Sequence, residues 1–255
     1  MTEFLLFTIY APLTSWGEIT VGETRGSWDR PSRSATFGMI AAALGIDRTD
    51  QSAHDALDLG YGFAVRLDAP GIPLVDYHTA QTVAASAIKR HRPVTRAAML
   101  NCADPETMLS RRWYRQDALA TVCLWTLEGA RWQLEEIAAA IRQPMYVLYA
   151  GRKANALGLP LSPSIIEAKT LGDAFRKHVA IPTDMRALWH AILPKGADAS
   201  RAEISHDPCV GFSSGLKRLR REVRRDADAN RSRWQFAERT VEVGTQLMPD
   251  EEMSS

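Results

Sequence analysis

Six histidines are scattered along the 255 residues, and none stands at a spacing that gathers a metal or completes a nucleophile's base pair. His78, between Tyr77 and Thr79, and His91, among Lys89, Arg90 and Arg92, are the two in a reactive setting. Imidazole, phenol and ammonium groups together are what a metal-independent ribonuclease needs: an acid and a base for attack by a 2′-hydroxyl, and a cation for the developing charge. An isolated histidine more often packs or hydrogen-bonds, so binding is preferred to cleavage and no catalytic residue is assigned. Gly211-Phe212-Ser213-Ser214-Gly215 fits the G-x-S-x-G of serine hydrolases. It lacks the apolar strand that precedes a nucleophile elbow, and the last histidine, His206, lies before it rather than after. Walker loops, dinucleotide fingerprints and paired metal-ligand spacings are absent, so neither cofactor nor metal is expected.

Binding chemistry is better represented. Trp16 beside Gly17 offers a flat ring on a backbone that a ligand can approach closely, and Arg25, Arg30 and Arg33 supply forked donors suited to phosphate oxygens. Ser34, read as the N-cap of a following helix, would add free amides for an anion. Tyr146, Tyr149, Gly151, Arg152 and Lys153 repeat these ingredients further on. The plainer alternative is a tryptophan plugging a sheet edge and arginines that are surface charges. Leu59 to Arg66, LGYGFAVR, echoes the first ribonucleoprotein motif of RNA-recognition domains, but without its leading base or final aromatic, and core packing by Tyr61 and Phe63 is the preferred reading.

A formal net charge of +1 hides two basic segments. Ala80 to Asp117 carries seven bases, including Arg111 and Arg112, against three acids, and Gly215 to Arg233 carries eight against three. Such clustering is the footprint of polyanion binding or of a solvated face. Cys102, Cys123 and Cys209 are far apart and odd in number, which suits a reduced cytoplasm. The apolar run Phe4 to Ala11 is too short for a membrane span or a signal segment with its cleavage site, so no membrane is expected.

These groups need a frame. Phe4 to Ala11 reads as a buried strand, Pro12 to Arg33 as a long loop, and Phe37, Ile40, Ala41 and Leu44 as a helix ending at Gly45. A short helix over Ser52 to Leu59 and a half-buried strand over Tyr61 to Leu67 follow. Asp68 to Gln116 is polar and basic, with one strand near Ile72 to His78 and little helical period, and reads as an inserted arm. Ala118 to Leu127 resumes a strand, Leu134 to Arg142 a helix with Glu135 and Glu136 in its first turn, and Met145 to Tyr149 a further strand. That order is the βαββαβ of an α+β, ferredoxin-like domain, assigned to residues 1–163 with a thumb insertion at about 70–117. Residues 164–255 form a smaller β-rich accessory region: a strand at Ile165 to Lys169, helices at Leu171 to Val179 and Asp184 to Leu193, a basic strand at Leu216 to Arg224, a last strand at Trp234 to Val243 and an acidic tail from Pro249 to Ser255.

Five stretches carry a resemblance: APLTSWGE from Ala11 to Glu18, TRGSWDRPSRSATFGMIAAALGI from Thr24 to Ile46, DYHT from Asp76 to Thr79, RRWY from Arg111 to Tyr114, and YAGRKANALGLPL from Tyr149 to Leu161. In this order they resemble the family-five CRISPR-associated subunits of type I-E Cascade complexes, within the repeat-associated mysterious protein superfamily. The resemblance implies a ferredoxin-like body whose thumb crosses a guide RNA (crRNA), whose groove holds the 5′ handle, and which caps the backbone filament. It also implies contact with the backbone subunit and the large subunit, an indirect relation to target DNA, and no catalysis. Carried onto this chain, the RNA-binding set is Trp16, Arg25, Arg30, Arg33, Ser34, Tyr77, His78, Arg111, Arg112, Tyr149, Gly151, Arg152 and Lys153. Type I-C relatives cut the repeat themselves, which keeps a metal-independent endoribonuclease as the alternative.

Overall fold

The opening apolar run becomes β1 (Thr2–Thr14), buried from Phe4 to Ala11 because both faces of the sheet are covered. The computed structural model describes residues 1–17, 22–101, 105–179, 201–230 and 235–247. Past Thr14 the chain forms three short strands, β2 (Trp16–Gly17), β3 (Thr24–Arg25) and β4 (Ser27–Trp28), rather than a plain loop. Helix α1 (Arg33–Leu44) starts earlier than the sequence suggests. Ser32, not Ser34, is its N-cap, with extended backbone and an Oγ that accepts from the Ala35 amide at 3.2 Å. Gly45 closes the helix at φ +74, a left-handed geometry that glycine adopts without strain.

Helix α2 (Gln51–Gly60), capped by Asp50, runs into β5 (Tyr61–Ala69). The alternation Tyr61, Phe63, Val65 predicts a half-buried strand, yet β5 is buried on both faces through Arg66. Phe63 and Val65 join the core on one side and Ala64 the core on the other. Arg66, 3% exposed, is satisfied by Asp68 at 2.7 Å and by the Phe175 carbonyl at 2.9 Å. The second face is covered by elements more than a hundred residues away, which no local period reveals.

Next come β6 (Ile72–Thr82), the short helices α3 (Ala85–His91) and α4 (Arg96–Asn101), and the long β7 (Glu106–Thr126). The two helices bury no residue, so they have no apolar stripe for the sequence to announce. Helix α5 (Leu134–Arg142) begins with a capping box between Gln133 and Glu136. Met145 to Tyr149 is not the strand expected. Its Met145 and Tyr146 amides are taken by the Ala43 and Ala42 carbonyls at the end of α1, at 3.0 and 3.2 Å, and so cannot join a ladder.

The strand that lies on the free side of β1 is instead β8 (Ser164–Ala168). Helix α6 (Leu171–Lys177), β9 (Arg201–His206), β10 (Lys217–Asn230) and β11 (Gln235–Leu247) complete the described elements. The helix expected over Asp184–Leu193 and the acidic tail lie outside the described residues, and β9 had no sequence signal. The large sheet runs β10-β11-β9-β5-β7-β1-β8, with β3 and β6 added along β7. Its pairs are antiparallel except β3 with β7. One core lies between this sheet and α1 and α5, the other between its opposite face and α6.

His178, just past α6, is pinned between strands: Thr8 Oγ1 is 3.1 Å from Nε2 and Ser164 Oγ 2.9 Å from Nδ1. Burial, and secondarily the charge of Arg66, lower its pKa to about 4. The unfolded chain therefore takes up a proton first, so stability is full above pH 6.5 and falls as pH drops toward 4. The expected loss is about 3 kcal/mol. Urea midpoints measured across that window should fall steeply for the parent and less for His178→Gln, and parallel curves would refute the assignment.

Candidate nucleic-acid interface

A cleft of about 380 Å³ opens on the α1 side of the sheet. Its walls are Ser34, Ala35, Gly38, Met39 and Ala42 of α1, the segment Val147 to Tyr149 with Gly151, Trp28 of β4, and Arg224, Arg225, Asp226 and Phe236 of the β10–β11 hairpin. Gly151 allows the close wall: its φ is +87, and any Cβ there would run into the Ser15 carbonyl oxygen. The Ser15 amide donates to the Ala150 carbonyl at 3.2 Å, and that carbonyl also accepts from Asn155 Nδ2 at 3.1 Å. The glycine loop and the β1–β2 corner are thus one piece.

Aromatic surface and positive charge meet here. Tyr149 is 41% exposed. The Arg224 guanidinium lies 4.7 Å from the Trp28 ring centroid and is held by Glu222 at 2.9 Å, which fixes the indole. Arg225 stands exposed, its Nε donating to the Phe236 carbonyl at 3.0 Å. Flat rings with cationic donors on the rim suit an unpaired base and its phosphate.

Three residues of the sequence-derived set lie elsewhere. Trp16 is 2% exposed and packed in the core beneath α1, paired with Trp28 across β2 and β4. Arg30 is buried against Asp29 at 2.9 Å and Glu203 at 2.7 Å. Glu203 is in turn held down to about 2, chiefly by its hydrogen bond from Arg220, then by Arg30. Arg33, 5% exposed, donates to Asp58 at 2.9 Å, to Asp207, and to the Tyr61 carbonyl at 2.9 Å. Its own amide donates to Asp226 at 2.8 Å, and Arg239 binds both Asp207 and Asp226. These guanidiniums face carboxylates rather than the cleft, and the lattice ties α1 to α2, β5 and the C-terminal hairpin.

Of the remaining residues, Ser34, Tyr149 and Gly151 line the cleft. Arg152, next along, lies 4.3 Å from the Tyr114 ring centroid, and Lys153 is exposed beside it. Arg25, Tyr77, His78, Arg111 and Arg112 sit together on the arm, where β3 pairs with β7 at Arg25–Arg112 and β6 at Tyr77–Arg111. Trp28, Arg224, Arg225 and Phe236 were missed by sequence reasoning. The basic segment from Gly215 announced charge, but only the pairing of β10 with β11, and of β11 with β9, brings it to α1.

Among the described residues no group of His, Cys, Asp or Glu is gathered for a metal, and no helix is long and apolar enough to cross a membrane. A family model described as CRISPR-associated protein (Cas_Cas5) matches residues 4–242. The CRISPR system Cascade subunit CasD of Escherichia coli (strain K12) is 32% identical over 171 residues, 63% of this chain and 70% of that protein. A chain of a solved "CRISPR RNA-guided surveillance complex" superposes with a TM-score of 0.63 at 24% identity, covering 97% of this chain and 91% of that one. A "Crystal structure of Cas protein" gives 0.58 at 22% identity, with 97% and 96% covered. At those identities the two structures share a fold, mixed α and β on a large antiparallel sheet.

Proposed function

This chain belongs to the Cas5 family of CRISPR-associated proteins, and from that premise we propose that it is a non-catalytic subunit of a Cascade-type surveillance complex that grips the repeat-derived 5′ handle of a crRNA. The observation that carries the reading is the cleft: aromatic walls from Trp28, Tyr149 and Phe236, the exposed Arg225 on its rim, and a glycine loop that leads directly to Arg152 and the basic arm. Stacking and amide or serine hydrogen bonds would recognise unpaired handle bases, and Arg25, Arg112, Arg152, Arg225 and Lys153 would neutralise phosphates. In this reading the frame is ferredoxin-like, with β1, α1, β5, β7, α5 and β8 as its βαββαβ. The spatial order β5-β7-β1-β8 supports it. The subunit would cap the filament beside a backbone subunit and a large subunit, in the cytoplasm, and meet target DNA only through the assembled complex.

Cleavage is the weaker reading. Tyr77 and His78 are neighbours in β6, so their side chains leave opposite faces of the ribbon and cannot act together on one 2′-hydroxyl. Incubation with repeat RNA in EDTA tests this, and a discrete cut lost in His78→Ala would establish the nuclease instead. For binding, Tyr149→Ala is expected to weaken handle RNA by about 1–3 kcal/mol, the range for one lost stacking platform. Titration of the purified chain with the repeat-derived single strand measures it, and an unchanged Kd would remove the cleft from the RNA path.

A further inference from the structure

We infer that RNA follows only one face of the arm, the one carrying Arg25, Arg112, Tyr114 and Arg152, so that the adjacent residues Arg111 and Arg112 serve different surfaces. This rests on the proposed RNA-binding function and says which side of the ribbon does it. The argument is one of register. β6 and β7 pair without a slip from Ile72–Gln116 to Thr82–Glu106. Directly opposed residues share a face and successive residues alternate.

One face therefore holds Tyr114 with Leu74, Arg112 with Asp76, and Ser110 with His78. The parallel strand β3 adds Arg25 beside Arg112 and Thr24 beside Arg111. Arg152, from the glycine loop at the cleft wall, stacks on the Tyr114 ring at 4.3 Å, and its Nη1 is buried without a hydrogen-bond partner among the described residues. That contact fixes which face is continuous with the cleft. Residues two apart in a strand are about 6.6–6.8 Å apart. Arg152 over Tyr114, then Arg112 with Arg25 beside it, so form a cationic strip leading away from the cleft, with a ring at its start for a base. Two acids share this face of the ladder, Asp76 opposite Arg112, which His78 approaches at 3.9 Å, and Glu106 at its far end.

Exposed apolar residues occur on both faces, Ile72, Leu74 and Met108 on this one, but the opposite face has its own rings and arginines. Val75 with Trp113 and Tyr77 with Arg111 are cross-strand pairs in which Val75, Tyr77 and Trp113 are 44%, 58% and 38% exposed. An apolar stripe of that kind, bearing Arg111 and Arg115, has no route to the Arg152 contact without crossing the ribbon edge.

The test uses the full chain, short fluorescein-labelled single-stranded RNA, and titrations at several salt concentrations. Each lost phosphate contact should lower the slope of log K against log salt by about 0.7–0.9. Arg112→Ala and Arg25→Ala are expected to show that drop and Arg111→Ala to keep the parent slope. All three residues are partly or fully exposed, so folding should survive, and melting curves verify it. In parallel, photocrosslinking with 4-thiouridine RNA should label Tyr114 and spare Tyr77 and Trp113. An Arg111 variant as impaired as the Arg112 variant, or crosslinks on Tyr77, would overturn the one-sided path while leaving RNA binding intact. Parent protein that binds no RNA would overturn the function itself, and this inference with it.

Discussion

Trp16→Ala is expected to lower folding stability by about 3–5 kcal/mol, the range for truncating a large buried aromatic. The indole is 2% exposed and sits among the residues packed between α1 and the sheet, so its removal leaves a cavity in that core. Urea unfolding should show a lower midpoint with an unchanged m value, since the surface exposed on unfolding hardly alters. Trp16→Phe, keeping part of the volume, should recover much of the loss. A variant within about 1 kcal/mol of the parent would mean that the ring is not a core element, and a loss of RNA affinity at full stability would return it to the binding surface that its sequence context suggests.

That example marks where sequence reasoning succeeded and stopped. Local chemistry was legible: Gly45 as a C-cap, Glu135 and Glu136 in the first turn of α5, and the continuous apolar run of β1 all depend on neighbours within a few residues. What failed depended on distant partners. Met145 to Tyr149 has strand composition, but the end of α1 takes its amides. β5 alternates in sequence, but α6 covers the face that alternation would leave wet. The site divides the same way. Of the candidate cleft, Tyr149 and Gly151 fall in a local pattern, a glycine beside an aromatic and two bases, whereas Arg224 and Phe236 reach it only through strand pairing in the large sheet and Trp28 through β2 and β4. Arginine was the hardest residue to read. The same guanidinium serves phosphate or carboxylate, and composition does not say which side chain will face it.

Arg33 is the case in which that ambiguity has the largest energetic consequence. Its guanidinium is shared by Asp58, Asp207 and the Tyr61 carbonyl, and stands 4.5 Å from the Phe37 ring centroid. Removing it would strand the Asp58 carboxylate, leave Asp207 with Arg239 as its cation and the Phe63 amide as a donor, and orphan a buried carbonyl. Breaking a buried pair from one side typically costs about 3–5 kcal/mol, because the surviving charge keeps its desolvation penalty. Arg33→Ala should therefore be among the least stable single variants, and Arg33→Lys should rescue little, since one ammonium cannot replace a planar fork that serves acceptors on three residues. The double variant Arg33→Ala with Asp207→Asn should lose less than the sum of the singles, the signature of two groups in one network. The defect should also persist at high salt, because buried charges are screened far less than surface ones. A phosphate ligand would behave in the opposite way: stability near the parent's, and an RNA affinity whose salt slope has dropped by about one contact. Chemical denaturation and RNA titration on the same variant separate the two, and finding the second pattern would move Arg33 from the lattice beneath the cleft to the cleft itself.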